Sequence, residues 1–366
     1  MPTLKVLARQ NPRLMALSNA SANFDTREPL ERAGFSNIQP LIERQPYRLA
    51  ENFEVTRFPT TGIDNFLVIR AGKWTILNYN DCNVPAQALK KLLRRIGPID
   101  ILMNNFNHAG KLLDSEQPPE EILQERKEAF QKLVSVVQPC YVIPFASMHY
   151  YRAPYSQQQN LSMLSGQQIA ESIPNALFVG FGDTVQWNSH GAPQIERLIP
   201  PLRPQPKNQQ SYQSGSSWDD LLKQADRFCQ LIRKEFFCLT FWISPLQIQV
   251  EDLNKRLVLD FNQGVREGSS EIPPHITSHS DPLFHWFSYK YGTVDFHVGA
   301  HYRIETEDKR SLIYTMLAGG LVENALSPRS LLKLLSQPKG WQFLWNRREE
   351  IIAILLGRKF DITSRL

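Results

Sequence analysis

Cysteine is scarce. Four occur in 366 residues, Cys82, Cys140, Cys229 and Cys238, and no two stand at a metal-binding or redox spacing. A disulfide scaffold and a zinc ribbon lose their sequence support, and reduced thiols are expected. Long apolar runs are missing too. No stretch is long enough to cross a bilayer, and residues 1–20 lack the layout of a signal peptide, so a cytoplasmic protein with no membrane span is expected. Charge of one sign is not in excess, with 41 Lys and Arg against 36 Asp and Glu for a net +5. The basic cluster Lys90, Lys91, Arg94 and Arg95 reads as a solvated helix face, and no nucleic-acid partner is expected. Glycine-rich phosphate loops and spaced Ser, Cys and His arrangements for nucleophilic catalysis are absent as motifs. Ala318-Gly319-Gly320 reads only as a helix break.

What is present is an alternation of strands and helices. Apolar strand patterns at Asn65 to Ile69 and Trp74 to Leu77 lead into Leu77-Asn78-Tyr79-Asn80-Asp81-Cys82-Asn83. Val84 to Ile96 then has a helical period, with its basic residues gathered near the C-terminal end and Gly97-Pro98 as a stop. Ile99 to Met103 reads as a buried strand, Pro118 to Val137 as a long charged helix, and Cys140 to Phe145 as another buried strand. Such an order argues for a parallel or mixed sheet covered by helices. Loops after consecutive parallel strands lie side by side, so Asp81, His108 and His149 are placed on one rim. A carboxylate at a strand's carboxyl end faces a cleft more often than a core. On residue chemistry alone, a helix-capping role for Asp81 competes with a binding role.

The blocks Ile76-Leu77-Asn78-Tyr79-Asn80-Asp81-Cys82, Asp100 to Phe106, Tyr141 to Ser147 and Phe181-Gly182-Asp183 resemble successive blocks of metallo-β-lactamase-fold proteins, in the branch of CMP-N-acetylneuraminate hydroxylase. The resemblance covers roughly the first 190 residues. It implies an α/β fold, an αββα sandwich of two mixed sheets flanked by helices, and a metal-dependent hydrolase or hydroxylase using zinc or iron. Asp81, His108 and His149 are the metal-ligand candidates it implies, and a small-molecule substrate follows, a sugar nucleotide by family association. One departure stands against the match. The His-x-His-x-Asp-His motif that holds the metal in this fold is absent from the chain, and Met1 to Leu7 resembles the helix that ordinarily follows it. Two explanations remain open: further ligands encoded upstream, or loss of the metal site and function by binding alone.

Pro200, Pro201, Pro204 and Pro206, followed by the Gln- and Ser-rich stretch to Ser217, mark a linker or a long surface loop. The expected organisation is residues 1–199 as the metallo-β-lactamase-like domain, 200–216 as linker, and 217–366 as a smaller α+β domain. Ser217 is the expected N-cap of a helix running to about Glu235. Strands are expected at Phe237 to Ile243, Arg256 to Phe261 and Asp295 to Ile304, with helices at Asp281 to Tyr291 and from Arg310 onward. The block Leu283 to Phe287 through Ala300 is similar to sterol-carrier-like domains, which implies a small sheet with a helix-lined apolar cavity; the residues alone fit an aromatic-rich α+β packing domain equally, and that alternative stays open. His275 and His279 are placed in loops, and His297 and His301 on one face of a strand. Neither pair has a matching carboxylate, so structural roles are expected for both.

Overall fold

The computed structural model describes residues 2–19, 26–60, 65–80, 82, 84–107, 118–145, 151, 154–180, 182–187, 191–197, 216–269, 271–323, 327–336 and 341. The linker region is therefore outside the described residues from 198 to 215. The chain opens with α1 (Pro2–Gln10), β1 (Met15–Asn19), α2 (Arg27–Ala33) and β2 (Asn37–Leu41), with β1 and β2 paired in parallel. Ala8, Ala33, Phe35 and Ile38 form a small core there.

Next come β3 (Pro46–Ala50), β4 (Phe53–Pro59), β5 (Asn65–Ala71), β6 (Trp74–Asn80), α3 (Ala86–Ile96), β7 (Ile101–Asn104), α4 (Pro119–Val137) and β8 (Tyr141–Pro144). The six strands make one sheet in sequence order. From β3 to β6 the pairing is antiparallel, joined by short turns, and from β6 to β8 it is parallel, across the α3 and α4 connections. That switch is what helix-length crossovers require. The alternation of β5 and β6 divides their residues between two faces. Phe66, Val68, Leu77, Tyr79 and Leu102 pack with Ala88, Leu89 and Leu92 of α3 and Val137 of α4. Phe66, Leu77 and Leu102 are fully buried, each stabilising by about 1.5–3 kcal/mol relative to exposure. On the other face Leu67, Ile69, Ile76 and Met103 are only half-buried. There Trp187 leans on Trp74 and Tyr141, with ring centroids at 5.0 and 6.0 Å.

Trp187 belongs to a separate hairpin. After a 3-10 segment (Pro154–Ser162) and α5 (Gly166–Ser172) come β9 (Thr184–Trp187) and β10 (Pro193–Glu196), paired antiparallel. The expected sandwich of two mixed sheets is thus only partly matched. Among the described residues up to 197, the one large sheet is accompanied by two two-stranded sheets, and the fold so far is mixed α/β.

The rest contains α6 (Trp218–Phe236), β11 (Leu246–Val250), β12 (Lys255–Asp260), β13 (Gly264–Glu267), β14 (Ile276–Ser278), α7 (Ser280–Ser288), α8 (Gly292–Val298), β15 (Arg303–Ile304), α9 (Arg310–Glu323) and α10 (Pro328–Leu335). Ser217 caps α6 as expected, its side chain accepting from the Asp220 amide. The sheet runs β13-β12-β11-β14-β15, with β14 parallel to β11. Its core is drawn wholly from residues 218–322. Trp286 stacks on Phe296 at 4.5 Å and Phe296 on Tyr302 at 5.1 Å. Trp286, Phe296 and Tyr302 are all buried in this core.

Three expectations fail here. Phe237 to Trp242 is a 3-10 segment and not a strand, and Phe241 and Trp242 are exposed. The alternating strand is β11, a few residues later. The helix expected around Asp281 to Tyr291 is present as Ser280–Ser288. Asp295 to Ile304 is mostly α8 and a turn, so His297 and His301 do not share a strand face. The α8 N-terminus is held from a distance. The Glu323 carboxylate accepts from the amides of Thr293 at 2.6 Å and Val294 at 3.2 Å, satisfying donors that no local side chain caps. Finally, Gly319 and Gly320 lie inside α9 and do not break it. A Cβ on Gly319 would come 2.3 Å from Thr293 Oγ1, so glycine there permits the close approach of α8 and α9.

Candidate functional site

The carboxyl ends of the parallel strands organise the site. Asn80 pairs with Asn104, and Asn104 with Pro144, so β6, β7 and β8 end side by side. Asn80 takes a left-handed backbone with φ 54°, which asparagine tolerates better than most residues. The pairing register shifts between Asn78 and Asn80, which turns the chain away from the sheet here. Asp81, His108 and His149, the three ligand candidates, all lie outside the described residues. The helix Asp81 was weighed as capping has Pro85 at its N-cap, with no side-chain cap bond. Tyr79 serves that end instead, its hydroxyl accepting from the Val84 amide at 2.8 Å. Burial raises the Tyr79 hydroxyl well above its ordinary pKa, so it stays protonated.

Next to these strand ends a cleft of about 450 Å³ opens between α3 and α4. Its floor is Tyr79, Cys82 and Asn104 to Asn107, and its walls include Leu89, Phe130, Leu133 and Val136. The volume lies within the range of small-molecule sites. The polar part is built around Arg126, a buried residue of α4. Arg126 Nη1 donates to Asn107 Oδ1 at 3.1 Å and to the Ser162 carbonyl at 2.7 Å, and it lies 3.4 Å from Met163 Sδ. Asn107, also buried, accepts from the Leu164 amide at 2.9 Å and donates to the Leu164 carbonyl at 2.8 Å. Burial lowers the Arg126 pKa, with Tyr151 acting in the opposite direction, but a guanidinium starts so high that it stays charged.

This arrangement can bind and orient. Amide, phenol and guanidinium groups line the same slot as the apolar side chains, and a few polar groups of this kind fix the direction of a ligand. Among the described residues, no three His, Cys, Asp or Glu side chains stand close enough to hold a metal ion. A buried guanidinium in the cleft wall also disfavours a cation beside it. Sequence reading overlooked both Arg126 and Asn107. The signal for Arg126 was present: it occupies the stripe Ile122, Arg126, Phe130 and Val137 that α4 turns inward, and a cation on an apolar stripe calls for a partner.

Fold and cleft together define a mixed α/β protein with a concave site at the carboxyl edge of parallel strands. No known protein family and no curated protein matches the chain. Among solved structures it is similar to the CmlA β-hydroxylase E377D mutant, with 15% identity, a TM-score of 0.32, and coverage of 50% of this chain and 39% of that one. It is also similar to CmlA, a diiron β-hydroxylase from Streptomyces venezuelae, with 18% identity, a TM-score of 0.29, and coverage of 40% of this chain and 32% of that one. The chain thus spans well under half the length of either structure.

Proposed function

We propose that the chain is a small-molecule-binding protein on a metallo-β-lactamase-like scaffold and that the cleft between α3 and α4 is its binding site. One observation carries this reading: a largely apolar slot of ligand size beside the ends of parallel strands, with a few polar groups among its lining. The test fills the slot. Ala129 is exposed and lines it, so Ala129→Trp blocks the cleft without touching the core. Fragment binding followed by methyl NMR is expected to shift Val84, Leu89, Leu133 and Val136 in the parent protein and to vanish in Ala129→Trp. Fragments that bind elsewhere, or that survive the substitution, refute the assignment.

A second reading, a metal-dependent hydrolase or hydroxylase, is supported by the shared edge at which β6, β7 and β8 end. In the sequence Asp81 directly follows β6, and His108 and His149 come four and five positions after the last residues of β7 and β8. These three are the residues that would hold zinc or iron, and the metal would supply an activated water or oxygen species. Elemental analysis of purified protein, with and without Asp81→Ala, tests it. Stoichiometric metal lost on substitution supports that reading, and its absence from both proteins ends it. We propose that residues 217–366 form a separate, sterol-carrier-like domain, a reading supported by a core of described residues that lies within 218–322.

A further inference from the structure

The charge of the cleft is one-sided. Of its described lining residues two are cationic, Arg126 and Lys132, and none is acidic. Lys132 is exposed, but Arg126 is 9% exposed and among the buried charged residues. The contacts of Arg126 all run through Nη1 and all reach neutral groups: an amide oxygen, a backbone carbonyl and a thioether. No described carboxylate forms an ion pair with it, and Nε and Nη2 make no hydrogen bond among the described residues. Buried guanidinium groups are ordinarily neutralised by a carboxylate, because the desolvation of an uncompensated charge is costly. Here Asn107 and Ser162 fix one nitrogen of the fork and orient the rest. The free edge is the one that takes a carboxylate or phosphate through two parallel N–H bonds. Phe106, Phe130, Leu89, Leu133 and Val136 are among the large apolar residues lining the same cleft.

We propose that the cleft binds an anionic ligand with an apolar body, its carboxylate or phosphate head on the Nε–Nη2 edge of Arg126 and its body between α3 and α4. The proposal rests on the reading of this cleft as the binding site and adds the chemical class of what enters it. Arg126 is thereby the specificity-determining residue, Asn107 its positioning residue, and Lys132 a rim charge that favours approach.

The probes are 4-phenylbutanoate, 4-phenylbutyl phosphate and the neutral 4-phenylbutanamide, titrated into the full chain by calorimetry with methyl NMR to locate them. Both anions are expected to shift Leu89, Leu133 and Val136, and the amide to bind at least about tenfold more weakly, the cost of leaving a buried charge without its counterion. Comparing the two anions then shows which head group the fork prefers. Arg126→Lys is expected to keep part of the anion preference and Arg126→Met to erase it. Should either variant fail to fold, the comparison of anion and amide on the unaltered protein still decides. Equal affinity of anion and amide within the cleft overturns the anion assignment and leaves the binding site standing. Binding of all three outside the cleft, or no binding, overturns both.

Discussion

Replacing Asn107 with alanine removes the hinge between the cleft and the segment that follows the 3-10 helix. Among the described residues three side-chain hydrogen bonds are lost: those that Oδ1 accepts from Arg126 Nη1 and the Leu164 amide, and the one that Nδ2 donates to the Leu164 carbonyl. The bond to the guanidinium is charge-assisted and contributes about 1.5–3 kcal/mol, and each neutral bond contributes about 0.5–1.5 kcal/mol. Water entering from the adjacent cleft recovers part of this, so the local loss is about 3 kcal/mol. At about 1.4 kcal/mol per factor of ten, that corresponds to roughly 100-fold. A single denaturation midpoint is a poor readout, because the chain has several separate cores and need not unfold in one step. Native-state hydrogen exchange reads the site directly. The Leu164 amide should exchange on the order of 100-fold faster in Asn107→Ala, while β11 and β12 amides keep their parent rates. Asn107→Asp should protect the amide again, since a carboxylate oxygen can replace Oδ1 beside Arg126, yet it should abolish anion binding by neutralising the guanidinium. Unchanged Leu164 exchange in Asn107→Ala would refute the network as drawn.

The two adjacent glycines of α9 should behave oppositely. Gly319→Ala drives a methyl into Thr293 Oγ1, which accepts from Trp286 Nε1 at 3.1 Å, and a loss of about 1–3 kcal/mol is expected in thermal or urea melts. Gly320→Ala meets nothing within 4 Å and should gain up to about 1 kcal/mol from helix propensity; equal effects would sink the close-approach explanation. Glu323→Ala frees the α8 amides of Thr293 and Val294 and should cost about 1–2 kcal/mol, the usual range for a helix N-terminus losing its cap. Faster exchange confined to α8 is the check. Burial lowers the pKa of His275, His297 and His301 below 6.5. The folded state therefore binds protons less readily than the unfolded chain, and the contribution is complete above the unfolded value and lost as pH falls from there toward the folded values. Melts taken between about pH 7.5 and 5 should show a decline of at most about 1.4 kcal/mol per pH unit for each histidine kept neutral. The double variant His297→Gln, His301→Gln should flatten it, and an unaltered slope would contradict the assignment.

Periodicity by itself determined the central elements. The strands ending at Asn80, Asn104 and Pro144, the helices Ala86–Ile96 and Pro119–Val137, and the Ser217 cap all carry their signals within a few residues. Burial on one face and a local cap are properties that neighbouring residues can encode. Tertiary structure decided the rest, because the deciding partner stood far away in sequence. The amides that open α8 are met by Glu323, about thirty positions downstream, so Asp295 to Val298 is helical despite a strand-like composition. Gly319 is read as a break until Thr293 is seen lying against it. The cleft follows the same rule. Strand ends were legible, but its cation and the amide that orients it meet across 19 residues, with Ser162 added from 36 away. Only the packing of α4 on the sheet brings those charges and carbonyls within hydrogen-bond reach.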